Sequence, residues 1–353
     1  MKKLIILQSI VPDYRKLFFG RIKDSLHERF ILYSGDSYFE SSLKNDESIE
    51  RIKVRNYFLF KKLLIQSHFI KLIFIKGDLV LEMNPRILTN WIILIFRKLF
   101  LKKTLLWGHA WSRGGKDSKT EYLRKIMKSL GDAIIVYTNK QKTELLEQFP
   151  NKTVLAAPNA VISSSKMTSN FKIDDINNFI FVGRLTEFKK PLILVKAFHL
   201  VLNKLPKESN LVILGSGDQK SILIDYVQKY KLKERVHIKG HVSSYEELKK
   251  YYHSSLFSVS PGYVGLSITQ SFGFGVPMLV SKNENHSPEI EAFKDKVNGL
   301  YFKTDNTDHL GEILLDVFKN KEDWIQKRKV ISDLCKETYS IESMAKTFID
   351  LIR

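Results

Sequence analysis

The chain is poor in cysteine: Cys335 is the only one among 353 residues. A lone thiol excludes a disulfide framework and fits a reducing compartment. Its setting, ISDLCKET, has helical spacing, so Cys335 reads as a buried structural thiol. Carboxylates are scarce as well, with 38 Asp+Glu against 57 Lys+Arg and a formal net charge of +19. There is no run of about 18 apolar residues, which excludes a helix that crosses a bilayer. Low-complexity tracts and internal repeats are missing. No D-x-D motif or His/Cys ligand cluster argues for a metal. The N-terminal MKKLIILQSIVPDYR starts like a signal peptide. Its apolar run is short, lacks a small-residue cleavage site and is cut by Pro12 and Asp13, so it reads as a first buried strand.

What remains is a basic, ordinary globular composition, with 44% hydrophobic and 27% charged residues. The length exceeds what one core usually supports and implies two domains. The charge is uneven: residues 1–160 carry +14 and the remainder +5. Residues 51–103 hold 12 basic side chains against Asp78 and Glu82 alone. The same segment contains YFLFKKLLIQSHFIKLIFIK and WIILIFRKLFLKK. Basic residues interleaved with large apolar ones suit an anionic membrane surface. Nucleic acid would accept the charge too, and a solvated basic face over a packed core is the plain alternative. WIILIFRKLF is apolar almost all round, so part of it reads as buried within the protein.

Short apolar runs alternate with segments of helical spacing. KLIILQSI, DLVLEMN, KTLLWGH, DAIIVYT and TVLAAPN read as strands, YLRKIMKSL and KQKTELLEQF as helices. This is a βαβ series, hence a parallel sheet covered on both faces. A polar stretch at 163–178, SSSKMTSNFKIDDINN, reads as a linker. The alternation then restarts with NFIFVGRL, NLVILGSG, VHIKG, LFSVSP, PMLVSK and NGLYF, and the last fifty residues are helical by pattern. The expected fold class is α/β with two facing Rossmann-like domains and a ligand cleft at the carboxyl ends of their strands. The expected domains are 1–165, 166–335 and a C-terminal helix at 336–353 that packs back on the first domain.

Three loops could carry chemistry. FVGRLTEFKKP follows a strand and opens a helix. Gly183 permits a tight turn, and Arg184 and Lys190 are the cations that a diphosphate needs. A solvated basic loop is the alternative. LGSGDQK places Gly215 and Gly217 where backbone could approach a ligand, although G-x-G alone is a weak signal. SPGYVGLSITQSFGFGVP has four glycines, two prolines and no carboxylate. A backbone loop and helix start, from Gly262 through Tyr263, Val264, Gly265 and Leu266 to Ser267, would offer N–H groups to a phosphate. Further on, NHSPEIEAF sets Glu289 just after a proline.

In this order GRL-x4-K, LGSGD, VHIKGHV, SP-x3-GLS-x7-G-x-P, PEI and NG resemble the second domain of retaining glycosyltransferases of family 4, which have the GT-B fold. The likeness covers about residues 178–305 and extends more loosely over VPDYRKLFFGRI, WGHAWSRGG and APNAV. It implies that Arg184 and Lys190 hold the diphosphate of a nucleotide sugar and stabilise the leaving nucleotide, with no metal and no cofactor. The sequence departs from the family at two positions. Where relatives have a pair of glutamates, this chain has Gly262 and Gln270. Gln270 can still accept a bond from a ribose hydroxyl through its carbonyl oxygen, and Glu289 could supply the missing carboxylate or cap a helix. His109 is implied near the acceptor and the transferred sugar. Asp13, Tyr14 and Arg15 are implied as acceptor contacts, joined by Trp111 and Arg113, whereas Trp107 reads as core and Asn159 as a turn residue.

The resemblance therefore implies transfer of a sugar, with retention, to a glycan acceptor in surface-polysaccharide (capsule or O-antigen) assembly. The charge favours an acceptor linked to a polyprenyl diphosphate and an enzyme resting on the cytoplasmic leaflet as a peripheral protein. An epimerase of the same fold would need only the donor half of the site. A non-enzymatic membrane or nucleic-acid binding protein with a degraded donor site is the other reading.

Overall fold

The computed structural model describes residues 2–39, 45–112 and 114–352. The chain forms two compact units, Met1–Val161 with Ile341–Arg353, and Ile162–Ser340.

In the first unit, seven strands among the described residues form one parallel sheet: β1 (Leu4–Gln8), β2 (Phe30–Ser34), β3 (Ile52–Lys53), β6 (Asp78–Glu82), β7 (Thr104–Trp107), β8 (Ala133–Val136) and β9 (Thr153–Ala156), in the order β3-β2-β1-β6-β7-β8-β9. The central strands are uniformly apolar because helices cover both faces. Helices α1 (Lys16–Leu26), α2 (Phe69–Phe74), α3 (Leu88–Leu99), α4 (Glu121–Leu130) and α5 (Asn139–Gln148) connect them. A short antiparallel hairpin, β4 (Asn56–Leu59) with β5 (Leu63–Gln66), interrupts the series. The sequence pattern did not announce it. Its tip holds Phe60 and Lys61 at positive φ, 50° and 54°, a conformation that nothing in their residue types favours. The last helix, α12 (Ile341–Asp350), packs on α1; Phe348 lies 5.1 Å from the Phe18 ring and 4.8 Å from Trp107.

The second unit has six parallel strands, β10 (Asn178–Val182), β11 (Leu211–Leu214), β12 (Val236–Gly240), β13 (Ser255–Ser260), β14 (Met278–Ser281) and β15 (Gly299–Phe302), ordered β12-β11-β10-β13-β14-β15. Around them lie α6 (Pro191–Val201), α7 (Lys220–Lys229), α8 (Tyr245–His253), α9 (Ser267–Gly273), α10 (Thr307–Lys319) and α11 (Lys321–Tyr339). Cys335 is buried on α11 against the Thr269 carbonyl, and burial pushes its thiol up to about 12, so it is a structural thiol.

Both sheets are doubly wound, and each reverses its strand order once, between β1 and β6 in the first and between β10 and β13 in the second. At such a reversal the loops leaving the two strands diverge to opposite faces and open a crevice at the carboxyl edge. The residues that follow those four strands are therefore the first place to look for a site.

Candidate functional site

In the second unit, the loop after β10 and the loop after β13 meet. Tyr263 N–H donates to the Phe188 carbonyl at 2.9 Å. The Lys189 ammonium donates to the Tyr263 carbonyl at 2.6 Å and lies 4.7 Å from the Tyr263 ring centre. Burial, then repulsion from Arg184, lower the Lys189 pKa to about 8, with Glu289 acting in the opposite sense. Arg184 is exposed, and among the described residues its guanidinium has no hydrogen-bond or ion-pair partner. Two cations thus stand together at the sheet reversal with one buried carboxylate, Glu289, as opposing charge.

The sequence reading paired Arg184 with Lys190. Lys190 is turned elsewhere: its ammonium bonds Glu284 at 2.6 Å and Asp305 at 2.7 Å. Against the cost of burial, those two carboxylates raise its pKa. Lys190 adopts a left-handed conformation, φ 49°, immediately before the Pro191 that begins α6. That reversal sends two consecutive lysines in different directions.

The glycines let neighbouring loops approach closely. A Cβ on Gly215 would collide with the Gly183 carbonyl, and one on Gly217 with the Leu185 carbonyl. The close approach is between neighbouring loops of β10 and β11, sealed by Gly183 N–H to Leu214 O and Leu185 N–H to Ser216 O. At Gly262 a Cβ would strike the Phe188 carbonyl oxygen and lie 2.9 Å from the Lys189 carbonyl carbon. Any larger residue there is excluded by the very loop that carries Lys189. Gly265 has room: a Cβ there would lie 3.6 Å from the Lys189 ammonium, an ordinary contact distance.

Val264 is buried, and its N–H donates to His286 Nδ1 at 3.0 Å; Ser287 N–H donates to the Val264 carbonyl. His286 Nε2 faces the Ser281 carbonyl at 2.8 Å, which puts the ring proton on Nε2 and leaves Nδ1 to accept. Burial lowers the His286 pKa, consistent with that neutral form. His286 thus fixes the loop, a role that the NHSPEI motif does not reveal on its own. Leu266 and Ser267 follow, half-buried, at the start of α9. The Gln270 carbonyl oxygen, expected to be free for a ribose, accepts from Tyr252 O–H at 3.2 Å. Burial raises the Tyr252 pKa, so its hydroxyl stays a donor.

In the first unit, the reversal between β1 and β6 holds a pair that sequence reasoning did not single out. The Glu82 carboxylate accepts from the Ser9 main-chain N–H and, at 2.8 Å, from the Ser9 hydroxyl. Burial raises the Glu82 pKa while the Ser9 bonds oppose the shift. Beside it, His109 follows β7, is exposed, and its ring lies 4.7 Å from Tyr137. Asp13 and Tyr14 are exposed, with the Asp13 carboxylate accepting from Tyr14 N–H. Two expected acceptor contacts are otherwise engaged. Arg15 is buried, with its guanidinium 5.2 Å from the Trp107 ring and 5.7 Å from Tyr137. The Trp111 indole donates to Glu144 at 2.6 Å, and Lys128 lies 4.2 Å from its ring. Arg113 lies outside the described residues.

Residues 164–333 match the family described as "Glycosyl transferases group 1". An uncharacterized glycosyltransferase of Methanocaldococcus jannaschii, MJ1607, is 28% identical over 186 residues, 51% of this chain and 45% of its own length. A second from the same organism, MJ1059, is 24% identical over 98% of this chain and 92% of its own. The match thus spans less than half of the first relative and nearly all of the second. Among solved structures, Anabaena HepE in complex with UDP and glucose is similar with a TM-score of 0.68 and 12% identity, over 99% of each chain. That likeness shows the fold: two Rossmann-like parallel-sheet units of the GT-B class.

Proposed function

We propose that this chain is a glycosyltransferase that moves a sugar from a nucleoside-diphosphate sugar to a hydroxyl of a glycan acceptor, with retention of anomeric configuration. The observation that carries the reading is the pair Arg184 and Lys189 at the β10/β13 reversal. Lys189 has its pKa pressed down to about 8 by burial and by its cationic neighbour. A site with two cations and little opposing charge gains most from binding an anion, and a diphosphate supplies it.

In the proposed step the bond from the sugar's anomeric carbon to the diphosphate oxygen breaks, and a bond to the acceptor oxygen forms on the same face. The acceptor's proton passes to the departing phosphate oxygen. Charge grows on the diphosphate as it leaves, and Arg184 and Lys189, fixed before the reaction, stabilise that charge in the transition state. The Gly262–Ser267 loop would border the sugar and diphosphate, with Glu289 behind it, and no metal or cofactor is assigned a part. Gly183, Gly215 and Gly217 would serve by keeping the two adjoining loops close. His109, Asp13 and Tyr14 would be acceptor contacts. The basic first half favours an acceptor held at an anionic membrane surface, such as a glycan on a polyprenyl diphosphate, in surface-polysaccharide assembly on the cytoplasmic side.

The test is turnover. The purified protein is incubated with a panel of nucleotide sugars, with and without lipid-linked glycan, and release of nucleoside diphosphate is followed. Acceptor-dependent release with one donor, and an α product from an α donor, supports the reading. Interconversion of two nucleotide sugars without acceptor would point to an epimerase instead.

A further inference from the structure

The charge count assigns the first half of the chain a basic character but does not say which surface uses it. We propose that the outer face of α2, α3 and α4 lies on an anionic lipid bilayer. This rests on the membrane-bound acceptor in the functional reading for its purpose, although the binding itself needs no catalysis.

Helix α3 is apolar on both sides. Ile93, Leu94 and the aliphatic stem of Arg97 face the core, while Ile92, Ile95, Phe96 and Leu99 are exposed at successive one-turn spacing. The stripe continues at both ends. Phe100 and Leu101 follow α3, and Leu101 is 95% exposed. Across α2, Phe74 stands 5.3 Å from the Phe100 ring, and Ile70 is also exposed. On the other side, α4 presents Tyr122, Leu123 and Ile126, and the Lys98 ammonium reaches the Leu130 carbonyl at its end. Single exposed apolar side chains are ordinary, but three adjoining helices that expose them together mark an interaction surface.

The partner follows from the charge. Lys71, Lys98 and Lys125 are exposed on these helices, and Lys103, in the link after α3, is exposed but paired with Asp78 at 3.5 Å. Helices α2 and α3 and that link carry no carboxylate, and the only one in α4, Glu121, is buried and paired with Arg124 and Lys128. A protein partner of mixed charge would usually be met by both signs. A predominantly cationic rim around an aliphatic and aromatic face matches anionic headgroups over acyl chains. The platform is also rigid: buried Arg97 donates to the carbonyls of Leu72, Ile75, Gly77 and Lys103 and to the Thr104 hydroxyl, tying the ends of α2 and α3 to the start of β7.

The experiment is co-sedimentation of the whole chain with vesicles of phosphatidylcholine alone or with about 30% phosphatidylglycerol. We expect binding to the anionic vesicles at least tenfold tighter than to the neutral ones, weakened by salt. Leu99→Asp with Leu101→Asp should lower it about tenfold or more, as should Lys71→Glu with Lys125→Glu. Leu200→Asp, at an exposed apolar residue of α6 in the other unit, should leave it unchanged. Melting curves and nucleotide binding of each variant report folding and the donor site separately. Wild-type protein that ignores anionic vesicles overturns the proposal. So does equal loss in Leu200→Asp, or a concentration-dependent dimer in sedimentation velocity that Leu99→Asp abolishes, which would make the face a contact between copies. None of these results would touch the donor-site reading if nucleotide still binds.

Discussion

Lys189 and Tyr263 join the two loops of the β10/β13 reversal: the lysine ammonium donates to the tyrosine carbonyl at 2.6 Å and lies beside its ring. The contact holds a cation of lowered pKa at the crevice edge without neutralising it, since a carbonyl supplies a dipole and no charge. Several expectations depend on that arrangement.

Lys189→Ala should weaken nucleoside-diphosphate binding about ten- to hundredfold, the loss of one charge-assisted bond. Lys190→Ala should leave affinity nearly unchanged and lower stability by about 1–3 kcal/mol, because it leaves the mostly buried Glu284 carboxylate without its cation, while Asp305 is largely at the surface. Calorimetric titration of the two variants, side by side, separates adjacent lysines that the sequence cannot.

The Lys189 pKa of about 8 gives a pH signature. An anion that binds beside it must raise that pKa. Affinity for a diphosphate should therefore fall as pH rises above about 8, and binding near pH 8–9 should take up a proton, visible as a buffer-dependent heat. For stability the sign is opposite. The unfolded lysine, with its ordinary pKa of 10.5, holds more protons between about pH 8 and 10.5, so the Lys189 contribution to stability rises with pH across that window. Lys189→Arg should remove both effects.

Restoring a side chain at Gly262 should do harm. Gly262→Ala should cost about 1–3 kcal/mol in urea unfolding, since its Cβ meets the Phe188 carbonyl. Gly262→Glu should bind nucleotide worse than wild type, because the lysine loop must move to admit it.

Arg97→Met should cost about 3 kcal/mol by the same measurement, because it removes the Arg97 donor from the carbonyls of Leu72, Ile75, Gly77 and Lys103, of which Lys103 still accepts from Leu79 N–H.

Much of this was legible in the sequence. Apolar runs such as LIILQ, AIIV and LVIL, short and alternating with helical segments, read as strands buried on both faces, and the two parallel sheets follow from them. The loops after β10 and β13 stood out by their glycines and cations. What the sequence hid is where backbone direction decides. Lys189 and Lys190 are chemically equal, and only the left-handed turn at Lys190 separates their targets. The packing that Gly215 and Gly217 give to the loops after the adjacent strands β10 and β11 was not legible, because those loops are far apart along the chain. Arg15 looked like a free cation after β1, yet it lies among aromatic rings that come from α1, β7 and the loop after β8. Ser9 and Glu82 had no motif, and only the strand order brings them together.

The central claim is that Arg184 and Lys189 hold the diphosphate of a donor nucleotide. The most direct measurement is thermal stabilisation of the wild type and of Arg184→Ala by a panel of nucleoside diphosphates. At about one hundred times its dissociation constant, the right nucleotide should add roughly 2.7 kcal/mol of stability to the wild type and little to the variant. Equal stabilisation of both proteins, or none of the wild type by any nucleotide, would contradict the account.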